Sequence, residues 1–257
     1  MRFSEVIGHE DLKKHLAEMM QSNRLAHALL FLGKEGSGAL PLAIAFAQYV
    51  VCEKVNSKSQ QSPAPSLFGD EPREPSKTEV LFDSCGQCAS CIKANQLVHP
   101  DIHFSYPTIK KTSKSDEKPI STDFIVQWRD FIKKEPYNNA SDWVEFIKVH
   151  PHERIDNPVN KKGNITAEEC NDIIRKISLK SFESKYKVLL LWMPELMTAL
   201  GQGNKLLKII EEPPPDTLFI LVAENEDLIL PTIVSRCQLI KIPALETKDI
   251  EEALISR

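Results

Sequence analysis

Cys85, Cys88 and Cys91 stand in the run CGQCASC, a C-x₂-C-x₂-C spacing that lets three thiolates converge on one cation. A fourth ligand from elsewhere would complete a tetrahedron, and Cys52, His99 and His103 are the candidates. The same thiolates also suit an iron–sulfur cluster. Of the six cysteines, Cys170 falls in a helical pattern and Cys237 opens an apolar run, so both read as small buried residues.

A second arrangement lies at FLGKEGSGALPLA, where an apolar run ends in Gly33, Gly36 and Gly38 and a helical pattern follows. A phosphate loop, G-x-x-x-x-G-K-[ST], uses backbone N–H groups to cradle phosphate, lysine to neutralise it and a hydroxyl to hold Mg²⁺. Gly33 and Gly38 match the two glycines, but Ala39 carries no charge and Leu40 no hydroxyl. The acidic strand end that such a site needs is equally blank: the run LLLWMPEL places Trp192 and Met193 there, and Glu195 comes three residues late, as a residue that caps or begins a helix. With both chemical positions empty, hydrolysis is not expected and ATP is not expected as a cofactor.

These residues need a frame. The 257 residues, 42% hydrophobic and 26% charged, match a globular chain large enough for one α/β domain or two small ones. A net charge of −4 argues against blanket nucleic-acid binding. No apolar run approaches the ~18 residues of a membrane span. The start MRFSEVIGHE lacks the apolar core of a secretory signal, which implies a cytoplasmic home and reduced thiols.

Apolar residues at helical spacing mark 10–20, and 27–32 reads as a buried strand before a buried helix at 40–51. Residues 53–84, rich in serine and proline, read as a flexible excursion in which little packs. After a helical run and a short strand at 101–105, a second excursion covers 108–163. Within it Phe124, Trp128, Phe131 and Ile132 share one helical face, and Trp143, Phe146 and Ile147 another, so it contributes one or two packed helices. Thr166 and Glu169 have the spacing of a capping box. Runs at 187–192, 217–222 and 237–242 alternate with the helical run 201–215, the signature of a doubly wound, mostly parallel sheet. Residues 246–257 begin a further helix, as expected of a fragment whose second domain is cut short.

The stretch NKLLKIIEEPPP…SRC, the opening FSEVIGHEDLKKHL…NRLAHALLFLG and the segment CGQCASCIKANQLVHPD resemble the clamp-loader AAA+ family of bacterial DNA polymerase III. The blank nucleotide motifs make the resemblance one to the delta-prime type rather than to the hydrolysing gamma/tau type. It implies an α/β AAA+ P-loop-type module: a five-stranded parallel sheet flanked by helices over 1–243, a small zinc module inserted at 85–100, and the start of a helical lid at 244–257. It also implies a structural zinc on Cys52, Cys85, Cys88 and Cys91, although the link of residues 53–84 is longer than in relatives; loop closure grows only logarithmically with length and does not forbid this. Members form a ring with other clamp-loader subunits (gamma/tau and delta) and place the sliding clamp on primed DNA. In that family the arginine of S-R-C reaches a neighbour's ATP site; the match here is Arg236, between Ser235 and Cys237. A guanidinium suits that role because it is always charged and donates in a planar fork. Without the neighbour it would read as a surface arginine paired with an acid. Asn204 and Asn225 read equally well as cap or turn residues.

Two other readings compete. One is a weak or regulatory ATP binder that uses backbone contacts alone. The other, of a different class, is a zinc-dependent nucleic-acid-binding module; against it, residues 85–105 offer only Lys93 and few aromatics. Nothing in the sequence calls for a membrane partner.

Overall fold

The computed structural model describes residues 1–59, 82–110, 118–152, 155, 163–197 and 202–255. The chain opens with helix α1 (Glu10–Gln21), strand β1 (Ala28–Leu32), α2 (Ala39–Val51) and α3 (Glu53–Ser59). Next come α4 (Ala89–Asn95), β2 (Ile102–Ser105), α5 (Ile125–Lys134), α6 (Ala140–Val149) and α7 (Ala167–Ser178). Then follow β3 (Lys187–Trp192), α8 (Gln202–Glu211), β4 (Thr217–Ala223), α9 (Pro231–Val234), β5 (Gln238–Lys241) and α10 (Thr247–Ile255). All strand pairs are parallel, in the order β2-β3-β4-β1-β5. This is the five-stranded parallel sheet expected.

The three inner strands, ALLFL, KVLLLW and TLFILVA, are buried almost throughout. A strand covered on both faces needs apolar residues at consecutive positions, which is why these read as runs and not as alternations. Odd and even positions feed two cores. Leu29, Phe31, Val188, Leu190, Trp192 and Val222 face α1, α2 and the helices of the second excursion. Leu30, Leu189, Leu191, Phe219 and Leu221 face α7, α8 and α9.

Of three expectations about these helices, two change. Residues 53–59 are helical and packed in part: Val55 is buried, and Asn56 Nδ2 donates to Val50 O at 2.8 Å, closing the end of α2. The remainder of that excursion, through 81, lies outside the described residues. Secondly, the second excursion contributes packed helices as expected, α5 and α6, with Phe124, Trp128, Phe131, Trp143 and Ile147 all buried. Thirdly, Thr166 caps α7 by accepting from Glu169 N at 3.2 Å, but Glu169 does not reach back. Its carboxylate accepts from Ser121 N and Ser121 Oγ, both at 2.6 Å, and so pins the start of α5 to α7. Burial pushes this carboxyl up, against the pull of the Ser121 bonds.

Candidate functional site

Gly33 N donates to Ala223 O at 3.0 Å, tying the glycine loop to the end of β4. A side chain would not fit at this position: a Cβ on Gly33 would lie 3.0 Å from Ile242 Cβ. Gly38 caps α2 with left-handed backbone, φ 80°, and a Cβ there would lie 3.1 Å from the Tyr137 ring. Ala39 and Leu40 form the first turn of α2 and are buried. Trp192 and Met193, at the end of β3, line the same cavity as the loop. The two blank positions read from sequence therefore border one cavity.

What fills the space between them was not legible. The Trp192 ring lies 5.5 Å from Trp128 and 6.3 Å from Phe131, both on α5. Tyr137, in the turn between α5 and α6, accepts from Ile7 N at 2.8 Å. Asn139 Nδ2 donates to Glu35 Oε1 at 2.6 Å. The cavity that remains is about 30 Å³, room for one or two waters against several hundred Å³ for a small-molecule site. Glu195 does not line the cleft as a metal-binding acid would. It sits in a short 3₁₀ turn, and its Oε1 accepts from Glu224 N and Asn225 N at 2.5 and 3.0 Å, joining the ends of β3 and β4. Burial, with Glu195 and Glu35 nearby, pushes the Glu224 carboxyl up.

The sulfurs of Cys52, Cys85, Cys88 and Cys91 all lie within 4.8 Å of one another, with Cys85 Sγ and Cys91 Sγ 3.9 Å apart. A tetrahedral ZnS₄ centre with Zn–S near 2.3 Å has an S···S edge of about 3.8 Å, so the set has the right size. Cys52 arrives from the end of α2, where the helix stops as its backbone turns extended. Backbone N–H groups of Cys85, Cys88 and Cys91 point at the sulfurs of Cys52, Cys85 and Cys88, each at 3.4 Å. A hydrogen bond from the Cys91 thiol, against burial and with help from Cys85 N–H, pulls Cys52 down to about 5. The same contact, with burial, pushes Cys91 up. Neighbouring sulfurs thus oppose one another's ionisation, and collecting four thiolates here requires a cation. No cysteine of the chain is in a disulfide.

The histidines stand apart. His99 Nδ1 accepts from Asp101 N at 3.1 Å and its Nε2 lies 3.3 Å from Glu183 Oε1. His103, on edge strand β2, is held down to about 4 by burial and then by Lys176 and Lys187. Cys170 is buried as expected, while Cys237 is half-buried just before β5, its thiol pushed up to about 11 by burial.

Arg236 follows α9 and does not line the cleft of its own chain. Its guanidinium donates to Thr232 O at 2.8 Å and pairs with Glu211 of the EEPPP run, its side chain 36% exposed. Ser235 Oγ lies 3.4 Å from the same nitrogen. Asn225 accepts from Asp227 N at 3.0 Å as a cap residue, and the Asn204 side chain lies outside what is described.

The family model for "DNA polymerase III, delta subunit" matches residues 8–68 and 145–246. The chain belongs to this family. Among relatives, it is 25% identical over 244 residues to the DNA polymerase III subunit delta-prime of Bacillus subtilis, covering 95% of this chain and 50% of that protein. It is 26% identical over 237 residues to the tau subunit of the same organism, covering 92% of this chain and 28% of the other. A delta-prime subunit of Haemophilus influenzae is 35% identical over 89 residues, covering 35% of this chain and 27% of that one. The chain thus spans about half the length of the first of these family members and less of the others. A solved DNA polymerase III gamma subunit-related protein of Thermotoga maritima overlays 94% of this chain and 49% of its own at TM-score 0.47 and 14% identity. The break in the family match, residues 69–144, contains α4, β2, α5 and the first half of α6.

Proposed function

We propose that the chain is a clamp-loader subunit of bacterial DNA polymerase III that does not hydrolyse ATP. It supports assembly of the loader ring and lends Arg236 to the ATP site of a neighbouring subunit. Family membership carries this reading, together with a cleft whose lysine, hydroxyl and acid positions are Ala39, Leu40 and Trp192. Its partners are the gamma/tau and delta subunits, and through them the sliding clamp and primed DNA, in the cytoplasm. Residues 1–243 form the AAA+ core and 244–257 start the lid.

Arg236 has the chemistry for action in trans. Its fork is steadied by Glu211 and Thr232 O, with donors left over for a phosphate. Fingers supplied in trans are worth roughly 10³–10⁵ in rate at the site they serve. A reconstituted loader carrying Arg236→Ala is expected to assemble normally, by size exclusion, and to lose the ATPase of the site it completes. Wild-type ATPase from that complex would refute the assignment.

Cys52, Cys85, Cys88 and Cys91 would hold a structural zinc, with no ligand position left open. A bound ion would cross-link the end of α2 to the residues leading into α4. Residues 85–105 carry only Lys93 as a lysine or arginine, short of the basic stripe that the nucleic-acid-binding alternative needs.

A further inference from the structure

We propose that the segment 121–149 is the resident occupant of the degenerate nucleotide cleft, holding together the parts that a bound nucleotide would otherwise pin. The inference rests on reading residues 33–40 as a degenerate nucleotide loop, and goes beyond it by naming what takes the ligand's place.

Three contacts define the occupant. At the base, Trp128 and Phe131 pack on Trp192, where a catalytic site would carry an acid. At the mouth, the Tyr137 ring lies against Gly38 while its hydroxyl accepts from Ile7 N at 2.8 Å, so one side chain bridges the glycine loop and the N-terminal segment. Beside it, Asn139 donates to Glu35 at 2.6 Å. Together these touch the N-terminal segment, the loop and the end of β3, and the space left is about 30 Å³.

A tethered group acts at an effective concentration in the millimolar range or above without diffusing away, and here it is folded into the core. Loss of the acid and of the lysine then has a common physical setting. A charged side chain at 192 would be buried against the rings of Trp128 and Phe131, whereas an indole packs there. The loop can thus hold one conformation whether or not nucleotide is present elsewhere in a ring.

The test uses the protein as it is, with Tyr137→Phe and Tyr137→Ala variants followed by amide hydrogen exchange. Tyr137→Phe keeps the ring and removes the acceptor, so exchange at Ile7 should rise about fivefold, the scale of one neutral hydrogen bond, with 36–40 unchanged. Tyr137→Ala should raise exchange at Ile7 and across 36–40 about tenfold or more, while residues 218–221 of β4 stay at the wild-type rate. Wild-type exchange at 36–40 in Tyr137→Ala would overturn the proposal alone. If that variant fails to fold, an unchanged Ile7 amide in Tyr137→Phe does so. All three tryptophans of the chain, 128, 143 and 192, belong to this one aromatic cluster, so intrinsic emission reports on the filled cleft. Millimolar MgATP should leave it unchanged; a saturable response would overturn both the empty-site reading and this proposal.

Discussion

Replacing Trp128 with alanine removes the centre of the aromatic cluster, and its cost can be worked from the packing. The side chain is fully buried. Its ring stacks on Tyr106 at 4.1 Å, meets Trp143 edge-on at 5.4 Å and lies 5.5 Å from Trp192. Large-to-small changes at buried tryptophan cost about 3–5 kcal/mol, and the stacked and edge contacts favour the upper half of that range. Globular proteins hold roughly 5–15 kcal/mol in total, so Trp128→Ala removes about a quarter or more. At about 2–4 °C per kcal/mol for a chain of this size, the midpoint falls by roughly 8–20 °C. The assay is urea unfolding followed by far-ultraviolet circular dichroism and by the emission of the two remaining tryptophans. Both probes should report one shared, shifted transition, because α5 and the sheet belong to one core. Trp128→Phe, which keeps a ring on Tyr106, should lose less than half as much. A loss below about 1.5 kcal/mol, or an emission change that leaves the dichroism transition in place, would refute the claim that the second excursion is integral to the sheet.

Two further outcomes follow from the same geometry. Cys88→Ser should lower the zinc content of the purified chain from one per molecule and expose the 85–95 segment to protease; a wild-type chain without zinc by elemental analysis would contradict the metal assignment. Glu169→Gln should reveal a pH-dependent gap. Burial raises the folded carboxyl above its ordinary 4.5, so as pH climbs through that window the unfolded chain releases a proton that the folded chain keeps. Wild-type stability then declines while that of the variant does not, and the wild-type advantage in urea midpoint shrinks from about pH 4.5 toward neutrality. An advantage that grows with pH would refute the sign.

Much of the frame was legible because its physics is local. Buried parallel strands must be apolar at successive positions, so KVLLLW and TLFILVA announce themselves. Likewise the helical faces of Phe124–Ile132 and Trp143–Ile147 recur at helical spacing, and the cysteine trio needs only three thiols close in sequence. The helix at 53–59 is not legible in a serine-rich composition, because its anchor, Val55, is buried against a core built elsewhere.

The sequence by itself determined which chemistry is missing: Ala39, Leu40, Trp192 and Met193 lack the groups that grip and cut phosphate, whatever surrounds them. It also set the family and the candidate ligands. The tertiary structure brought Cys52, the fourth ligand that the resemblance implied, to the trio, and it alone decided that Glu211 holds Arg236, that Glu195 ties β3 to β4, and that Tyr137 and Trp128 pack about the cleft. Each of these pairings spans from 25 to 130 positions along the chain. A contact at that distance leaves no periodicity in the sequence, and its free energy exists only once the sheet has brought both partners to one place.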